Sequence, residues 1–281
     1  MAVDTAPVFE GLELTGKVNV PDDTILANVR SAIRRGHPQV HPAHVKSDRV
    51  CLIGGGPSLE STFTELRDLY FAGAKIVTVN GAYQWCLDRN IRPNAQIVLD
   101  ARASNARFVD PPVPNCRYYL CSQCAHETWD AVAGREFVAI WHDASSDDVV
   151  AELDAYYLKR WHGVTGGTTV GTRAIGLLRA LGYLRFDLFG FDSCWLDHAH
   201  HGYAQPENDK DGRYRLTIAA KDSKTPPRDF WVAPWMLKQL EDLVLLIRAS
   251  GDEFVLNIHG DGLLAYALRA SADVNWTVEK E

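Results

Sequence analysis

Arg49-Val50-Cys51-Leu52-Ile53-Gly54-Gly55-Gly56-Pro57-Ser58-Leu59-Glu60 is the stretch whose reading decides the fold. From Val50 to Ile53 the residues are apolar without alternation, the pattern of a strand buried on both faces of a parallel sheet. Three glycines directly after such a strand permit a tight turn and let backbone N–H groups approach a ligand with no Cβ in the way. An anion is expected there. Pro57 suits the first turn of a helix, where its missing N–H costs little, and the Ser58 oxygen is placed to accept from an orphan N–H. The helix predicted over about 60–72 then points its positive end at the same pocket. Gly54 and Gly56 have the spacing of the dinucleotide fingerprint, but Leu59 stands where its third glycine belongs, and the Gly-Lys-Ser/Thr ending of a P-loop is missing. A plain structural turn is the competing reading.

Outward from this stretch, strands predicted at about 49–54, 75–80, 95–100, 117–122, 136–141, 184–190 and 253–258 alternate with helices at about 60–72, 81–90, 147–159, 171–182, 235–249 and 261–270. That alternation predicts an α/β, Rossmann-like fold, an open, mainly parallel twisted sheet with helices on both faces. The expected organisation is a single domain over 46–281, preceded over 1–45 by an N-terminal arm and a short helix at about 23–35. A chain of 281 residues can bury one sizeable core with such an appendage.

Hydrophobic content of 46% and charged content of 23% are ordinary for a soluble globular protein, and no apolar run reaches membrane-spanning length. No membrane partner is expected. The first residues show neither a basic nor an apolar leader region, so a cytoplasmic location is expected. A net charge of −7 argues against a surface coated for nonspecific nucleic-acid binding. Residues 30–49 are locally basic, with Arg30, Arg34, Arg35, Lys46 and Arg49 against the single acid Asp48. They read as a solvated, proline-interrupted connector, with a docking surface for an anionic acceptor as the alternative. The donors Cys116, Cys121, Cys124 and His126 suit zinc by type, but a strand through Tyr118–Cys121 points them in alternating directions, which leaves metal binding there open.

Several predicted strands end in a polar residue: Asn80, Asp100 and Asp192. In open parallel sheets ligands bind beyond the carboxyl ends of the strands, at the point where strand order reverses. Each residue alone reads as a helix cap; three together point to a site. A second glycine-rich turn, Gly163 to Thr172, precedes a helix with an apolar face, and Gly167, Thr168 and Thr169 offer amides and hydroxyls at its start. After Asp192 comes Ser193-Cys194-Trp195-Leu196-Asp197-His198-Ala199-His200-His201, the densest acid/base cluster in the chain. Its histidines suit general acid/base work or metal ligation, against a bland reading in which they bond backbone carbonyls. The polar stretch 205–229 reads as a long functional loop with a short hairpin near 213–221.

With these positions assembled, the chain resembles the MptE-like family, which includes archaeal 6-hydroxymethylpterin diphosphokinases and the domain of Maf-type flagellin glycosyltransferases. The resemblance rests on Gly54-x-Gly56-Pro57-Ser58-Leu59, on Asn80, on Arg92-Pro93-x6-Asp100, on Gly166-Gly167-Thr168-Thr169-Val170-Gly171 and on Leu181-Gly182-Tyr183-x4-Leu188-Phe189-Gly190-Phe191-Asp192, and covers roughly residues 49–201. The motifs are also similar to those of small bacterial sialyltransferases, and short forms look like proteins of tailed phages. The resemblance implies a nucleotide-binding domain in which Gly54, Gly56, Ser58, Asn80, Thr168 and Thr169 contact the nucleotide, and Gly55, Pro57, Asp100 and Gly167 are expected to join them.

The function expected is a nucleotide-dependent transferase, a glycosyltransferase moving a sugar from a nucleotide-sugar to an acceptor hydroxyl. The acceptor is a small molecule or, in a phage setting within the host cytoplasm, DNA with a hydroxymethylated base. One of His198, His200 and His201 is expected as the base, oriented by Asp192 or Asp197. The alternatives are a Mg²⁺-dependent diphosphokinase using ATP, with Asp100 and Asp192 holding the metal, and a nucleotide-binding module without chemistry.

Overall fold

The computed structural model describes residues 20–144, 146–220, 226–251, 254–270 and 274–280. In chain order the strands are β1 (Lys46–Ile53), β2 (Lys75–Val79), β3 (Ala95–Val98), β4 (Arg117–Cys121), β5 (Val138–Trp141), β6 (Tyr183–Phe189), β7 (Tyr214–Ala220), β8 (Arg228–Val232), β9 (Val255–Ile258) and β10 (Val274–Lys280). The helices are α1 (Asp22–Ile33), α2 (Phe63–Phe71), α3 (Ala82–Leu87), α4 (His126–Ala131), α5 (Asp147–Tyr157), α6 (Val170–Ala180), α7 (Pro234–Arg248) and α8 (Leu263–Arg269).

A seven-stranded sheet in the order β5-β4-β3-β2-β1-β6-β9 carries the fold, and all its pairings are parallel. The predicted strands all lie in it. Residues Val50 to Ile53 are fully buried, as an uninterrupted apolar run in a central parallel strand requires. Successive side chains of β1 go to opposite faces. Val50 and Leu52 join Val77, Val79 and Leu188 in a core covered by Ile175 and Leu178 of α6. Cys51 and Ile53 join Ile76 and Phe189 beneath Leu66 of α2 and Trp85 of α3. Helices therefore cover both faces, and the architecture is Rossmann-like.

Three features differ from the sequence expectation. From residue 20 onward the supposed arm is part of the domain: Val29, Ala32 and Ile33 of α1 are buried, and Val40 donates its N–H to Ile140 of β5; residues 1–19 lie outside the described ones. The expected hairpin at 213–221 is instead the single strand β7, which pairs antiparallel with both β8 and β10 in a small second sheet. The basic segment is built into structural pairs, Arg30 with Glu152 at 2.7 Å, Arg35 with Asp130 at 2.8 Å and Arg49 with Asp187. Among the described residues no helix is long and apolar enough to cross a membrane. Cys116, Cys121 and Cys124 are buried, while His126 sits exposed at the start of α4 beside Glu127. They do not converge on a metal site.

One charged cluster ties the sheet edge to its cover. Asp187 of β6 is fully buried on the Cys51 face, where it takes a bidentate hydrogen bond from Arg49. His259, just past β9, donates through Nε2 to Asp187 at 2.8 Å and through Nδ1 to Glu65 of α2 at 2.7 Å. Its ring also stacks on Phe189 at 4.1 Å. The Asp187 bond, followed by that to Glu65, raises the His259 pKa above its usual 6.5 against the opposing effect of burial. A raised folded-state value means that this stabilisation is fully present below pH 6.5 and is lost as pH climbs through the folded value. His259→Gln is expected to cost about 1–3 kcal/mol at pH 6. In urea titrations its deficit against the parent should shrink steadily by pH 9; a deficit that does not change with pH removes the charge from the explanation.

Candidate functional site

Strand order runs outward from β1 to β5 and then returns to the opposite side of β1 with β6, so the reversal lies between β1 and β6. The turns that leave these two strands face each other there. Register brings Ile53 beside Phe189, so Gly54–Gly56 and Gly190–Asp192 emerge side by side. Their backbones pass very close. A Cβ on Gly54 would lie 2.6 Å from the Gly190 carbonyl oxygen, and one on Gly56 would lie 2.2 Å from Asp192 Oδ2. Glycine is required at both positions because no side chain fits between the turns.

The turn's amides are used differently from the sequence expectation. Gly54 N–H donates to Phe189 O at 2.8 Å, Gly56 N–H to Gly190 O at 2.8 Å, and Ser58 N–H to Asp192 Oδ2 at 2.9 Å. Only the Gly55 amide has no partner among the described residues. Pro57–Leu59 form a single 3-10 turn, and α2 starts at Phe63, so the helix end expected beside the glycines is absent. The Ser58 hydroxyl is buried beside Asp192 without a well-formed hydrogen bond. The helix whose N-terminus does face the crevice is α6: Thr169 caps it, accepting from Thr172 N–H at 3.3 Å, and Thr169, Val170 and Gly171 line the space. Its free first-turn amides are the stronger anion site.

These parts enclose a cavity of about 100 Å³, lined also by Asp192, Ser193, His200, His201 and Gln239. Asp192 is 2% exposed. Burial pushes its carboxyl up from 3.8 to about 6, against the opposing pull of Ser58, its amide first and then its side chain. Ser193, with φ of 51°, turns the chain and donates to Gln239 of α7 at 2.6 Å. Trp235 of α7 joins the wall with its indole N–H on Asp211 at 2.8 Å.

The histidine cluster splits. His198 is exposed, whereas His200 and His201 line the cavity. His200 Nε2 lies 2.8 Å from Asp209 Oδ1, and the two Nδ1 atoms of His200 and His201 are 2.5 Å apart. One consistent proton arrangement follows. An ionised Asp209 requires a proton on His200 Nε2, which makes His200 Nδ1 an acceptor. His201 must then carry its proton on Nδ1, and its Nε2 presents a lone pair. Burial, reinforced by His200, pushes the His201 pKa down to about 4, so the ring is neutral at pH 7. Neither Asp192 nor Asp197 orients these rings. Asp209 does, a residue that sequence reasoning left unassigned inside the 205–229 loop.

The remaining expected residues lie elsewhere. Thr168 bonds Asp242 of α7 through both its N–H and its hydroxyl, each at 2.7 Å, and a Cβ on Gly167 would lie 2.6 Å from Asp242 Cβ. Both hold α7 against the turn rather than lining the cavity. Asn80 follows β2 with φ of 47°; its amide Oδ1 is buried without a partner. Asp100 is bonded by Arg102 at 2.7 Å. It sits past β3, three strand spacings from β6, or about 14 Å. The sheet thus does not set Asp100 beside Asp192, and Asp100 is not among the residues that line the cavity. Gln239, Ser193 and Trp235 also line the cavity, although Gln239 and Ser193 read in sequence as ordinary helix and turn residues and Trp235 as an anchor of the next helix.

Comparison with known proteins fits this architecture. The family model described as 6-hydroxymethylpterin diphosphokinase MptE-like matches residues 23–198. The structure of the Maf glycosyltransferase from Magnetospirillum magneticum AMB-1 superposes with a TM-score of 0.57 at 14% identity, covering 95% of this chain and 43% of that one. A mammalian sialyltransferase, solved with Gal-beta-1-3GalNAc-ortho-nitrophenol, gives a TM-score of 0.37 at 13% identity over 66% of this chain and 78% of the other. No curated protein sequence matches. The chain thus spans less than half of the Maf protein whose fold it shares.

The buried carboxyl of Asp192 makes a prediction about stability. A folded-state pKa raised from 3.8 to about 6 means that stability contributed at acid pH is lost as pH rises through about 6. Asp192→Asn keeps an acceptor for the Ser58 amide and removes the charge. The variant should exceed the parent by on the order of 2–3 kcal/mol at pH 8 and match it at pH 4. Parallel denaturation curves at the two pH values check this, and a variant weaker at pH 8 refutes it.

Proposed function

Because the chain belongs to the MptE-like family, we propose that it is a nucleotide-dependent transferase, and specifically a glycosyltransferase that moves a sugar from a nucleotide-sugar to an acceptor hydroxyl. The observation that carries this reading is the neutral His201 ring, aligned by His200 and Asp209 and lying over Gly55 at the switch-point crevice. In the proposed reaction the acceptor oxygen attacks the anomeric carbon while its proton passes to His201 Nε2. The bond from that carbon to the phosphate oxygen breaks, and its electron pair leaves with the nucleotide. The Gly55 amide and the first turn of α6 stand where they can stabilise the charge developing on the phosphate. His200 and Asp209 stabilise the imidazolium that His201 becomes, as a carboxylate does in a catalytic triad.

Diphosphoryl transfer, the activity in the family's description, relies on metal ions bridging the phosphates. The three strand spacings between β3 and β6 and the Arg102 pair on Asp100 favour glycosyl transfer instead. The acceptor is proposed to be a small hydroxyl compound, because Arg30, Arg35 and Arg49 of the basic segment are engaged with carboxylates and offer little to a DNA backbone.

A screen of the full chain by thermal shift against UDP-, GDP- and CMP-sugars and ATP, with and without Mg²⁺, identifies the donor. With that donor, His201→Gln should lower turnover about 100- to 10,000-fold while nucleotide binding persists. His198→Gln, an exposed change, should stay within about twofold. Stabilisation by ATP alone and only with Mg²⁺ supports the diphosphokinase, and binding with no turnover for any donor supports a module without chemistry. Since only neutral His201 accepts a proton, the acid limb of kcat/KM is expected near pH 4, well below that of an ordinary histidine. A limb that moves when His198 is changed assigns the base elsewhere.

A further inference from the structure

The crevice beside His201 is not the largest opening at this edge of the sheet. A second cavity of about 380 Å³ lies across the ring of Tyr203, with Gly81 after β2 on its floor and Arg107 after the β3 end in its wall. The first cavity, at about 100 Å³, falls short of the volume of small-molecule sites, roughly 300–1,000 Å³, and the second lies within it. The two are neighbours. A Cβ on Gly55 would stand 2.6 Å from the Tyr203 hydroxyl, and one on Gly81 would stand 2.5 Å from the Tyr203 ring. Tyr203 therefore lies in a groove formed by two residues without side chains, with the unpartnered Gly55 amide at its edge.

The second cavity has walls suited to a planar, hydrogen-bonding ligand. Arg89 stacks over Trp85 at 4.2 Å and Arg107 over Phe108 at 4.8 Å, which presents guanidinium planes of the kind on which bases stack. Arg107 uses one nitrogen on Glu207 at 2.5 Å, and its fork retains further N–H donors. Gln84 and Asp88, bonded to each other at 2.6 Å, add an amide and a carboxylate, group types that bond ribose hydroxyls and base edges. The position matches as well. In sheets with this strand reversal the phosphates lie at the glycine turn after the first strand and ribose contacts come from the next strand along.

We propose that this cavity, between the ends of β2 and β3 and bounded by Tyr203, Arg89 and Arg107, is the nucleoside subsite of the donor. The nucleotide then runs from the second cavity along the Tyr203 groove, its phosphate at Gly55 and the α6 N-terminus, which leaves the transferred group on the His201 side. This assignment rests on the transferase reading, but it is tested separately.

The test is calorimetric titration of the full chain with AMP, GMP, CMP, UMP, ribose 5-phosphate and inorganic pyrophosphate. One or more of the nucleoside monophosphates should bind more tightly than ribose 5-phosphate. Two variants probe the cavity: Arg107→Ala removes a stacking plane, and Ala204→Trp fills the space from an exposed position. Each should weaken the nucleotide roughly 10- to 100-fold, the scale of one lost base stack, with pyrophosphate binding and melting temperature unchanged. If both variants bind nucleotide as the parent does while His201→Gln still abolishes turnover, the nucleoside lies elsewhere and the transferase reading stands. Failure of the parent to bind any of the nucleotides overturns both.

Discussion

Two backbone turns that pass closer than any Cβ allows determine the shape of the crevice at the carboxyl edge of the sheet. Gly54 and Gly56 leave the central strand against Gly190, and the Ser58 amide then closes the contact on the Asp192 carboxylate. Every other element of the crevice is placed relative to that contact. The loop after Asp192 carries the imidazoles back over Gly55, with Gly202 donating its N–H to Gly55 O at 2.9 Å. The loop before α8 presses on the same point, since a Cβ on Gly262 would stand 2.6 Å from Asp192 Cα. A glycine-rich turn after a buried strand invites an anion-binding interpretation. Here three of its amides are occupied by the chain itself, and the helix dipole comes from α6 on the far side of the crevice.

Electrostatically the crevice is built at some expense. A carboxylate is held inside with only Ser58 to oppose its burial, and an imidazole in the same cavity is kept neutral by burial. Both departures run in the direction that desolvation demands, an acid pushed up and a base pushed down. Groups held away from their ordinary protonation behaviour in one cleft are a recurrent mark of chemistry. Asp187 illustrates the contrast: equally buried, it has Arg49 and His259 as partners, and its carboxyl is held below the usual range despite burial. One buried acid serves as a clasp, and the other remains an undercompensated charge.

Much of this was legible in the sequence, and the failures have physical causes. An uninterrupted apolar run, Val50–Ile53, identified the central parallel strand, because a doubly buried strand has no polar face to disguise it. Strand-end residues pointed to the edge of the sheet where the crevice lies. What the sequence could not supply was the direction of each polar group. Thr168 and Asp100 are polar residues at that edge, yet one grips α7 and the other its own neighbour Arg102. Asp209 meets His200, and Gln239 lines the crevice, only because distant loops and helices bring them there, and no local periodicity encodes such a meeting. The second sheet was missed for a related reason: β10 reaches β7 across more than fifty residues of chain.

The six cysteines have a consequence of their own. All lie inside the protein, and burial raises the pKa of each thiol, Cys51, Cys116, Cys121 and Cys194 to about 12 and Cys86 and Cys124 upward as well. Thiolate is the reactive form, so the folded chain offers maleimides almost nothing to attack. A single cysteine introduced on the surface would accordingly carry a fluorophore by itself, and distances across the Tyr203 groove become measurable without first stripping the native sulfur from the core.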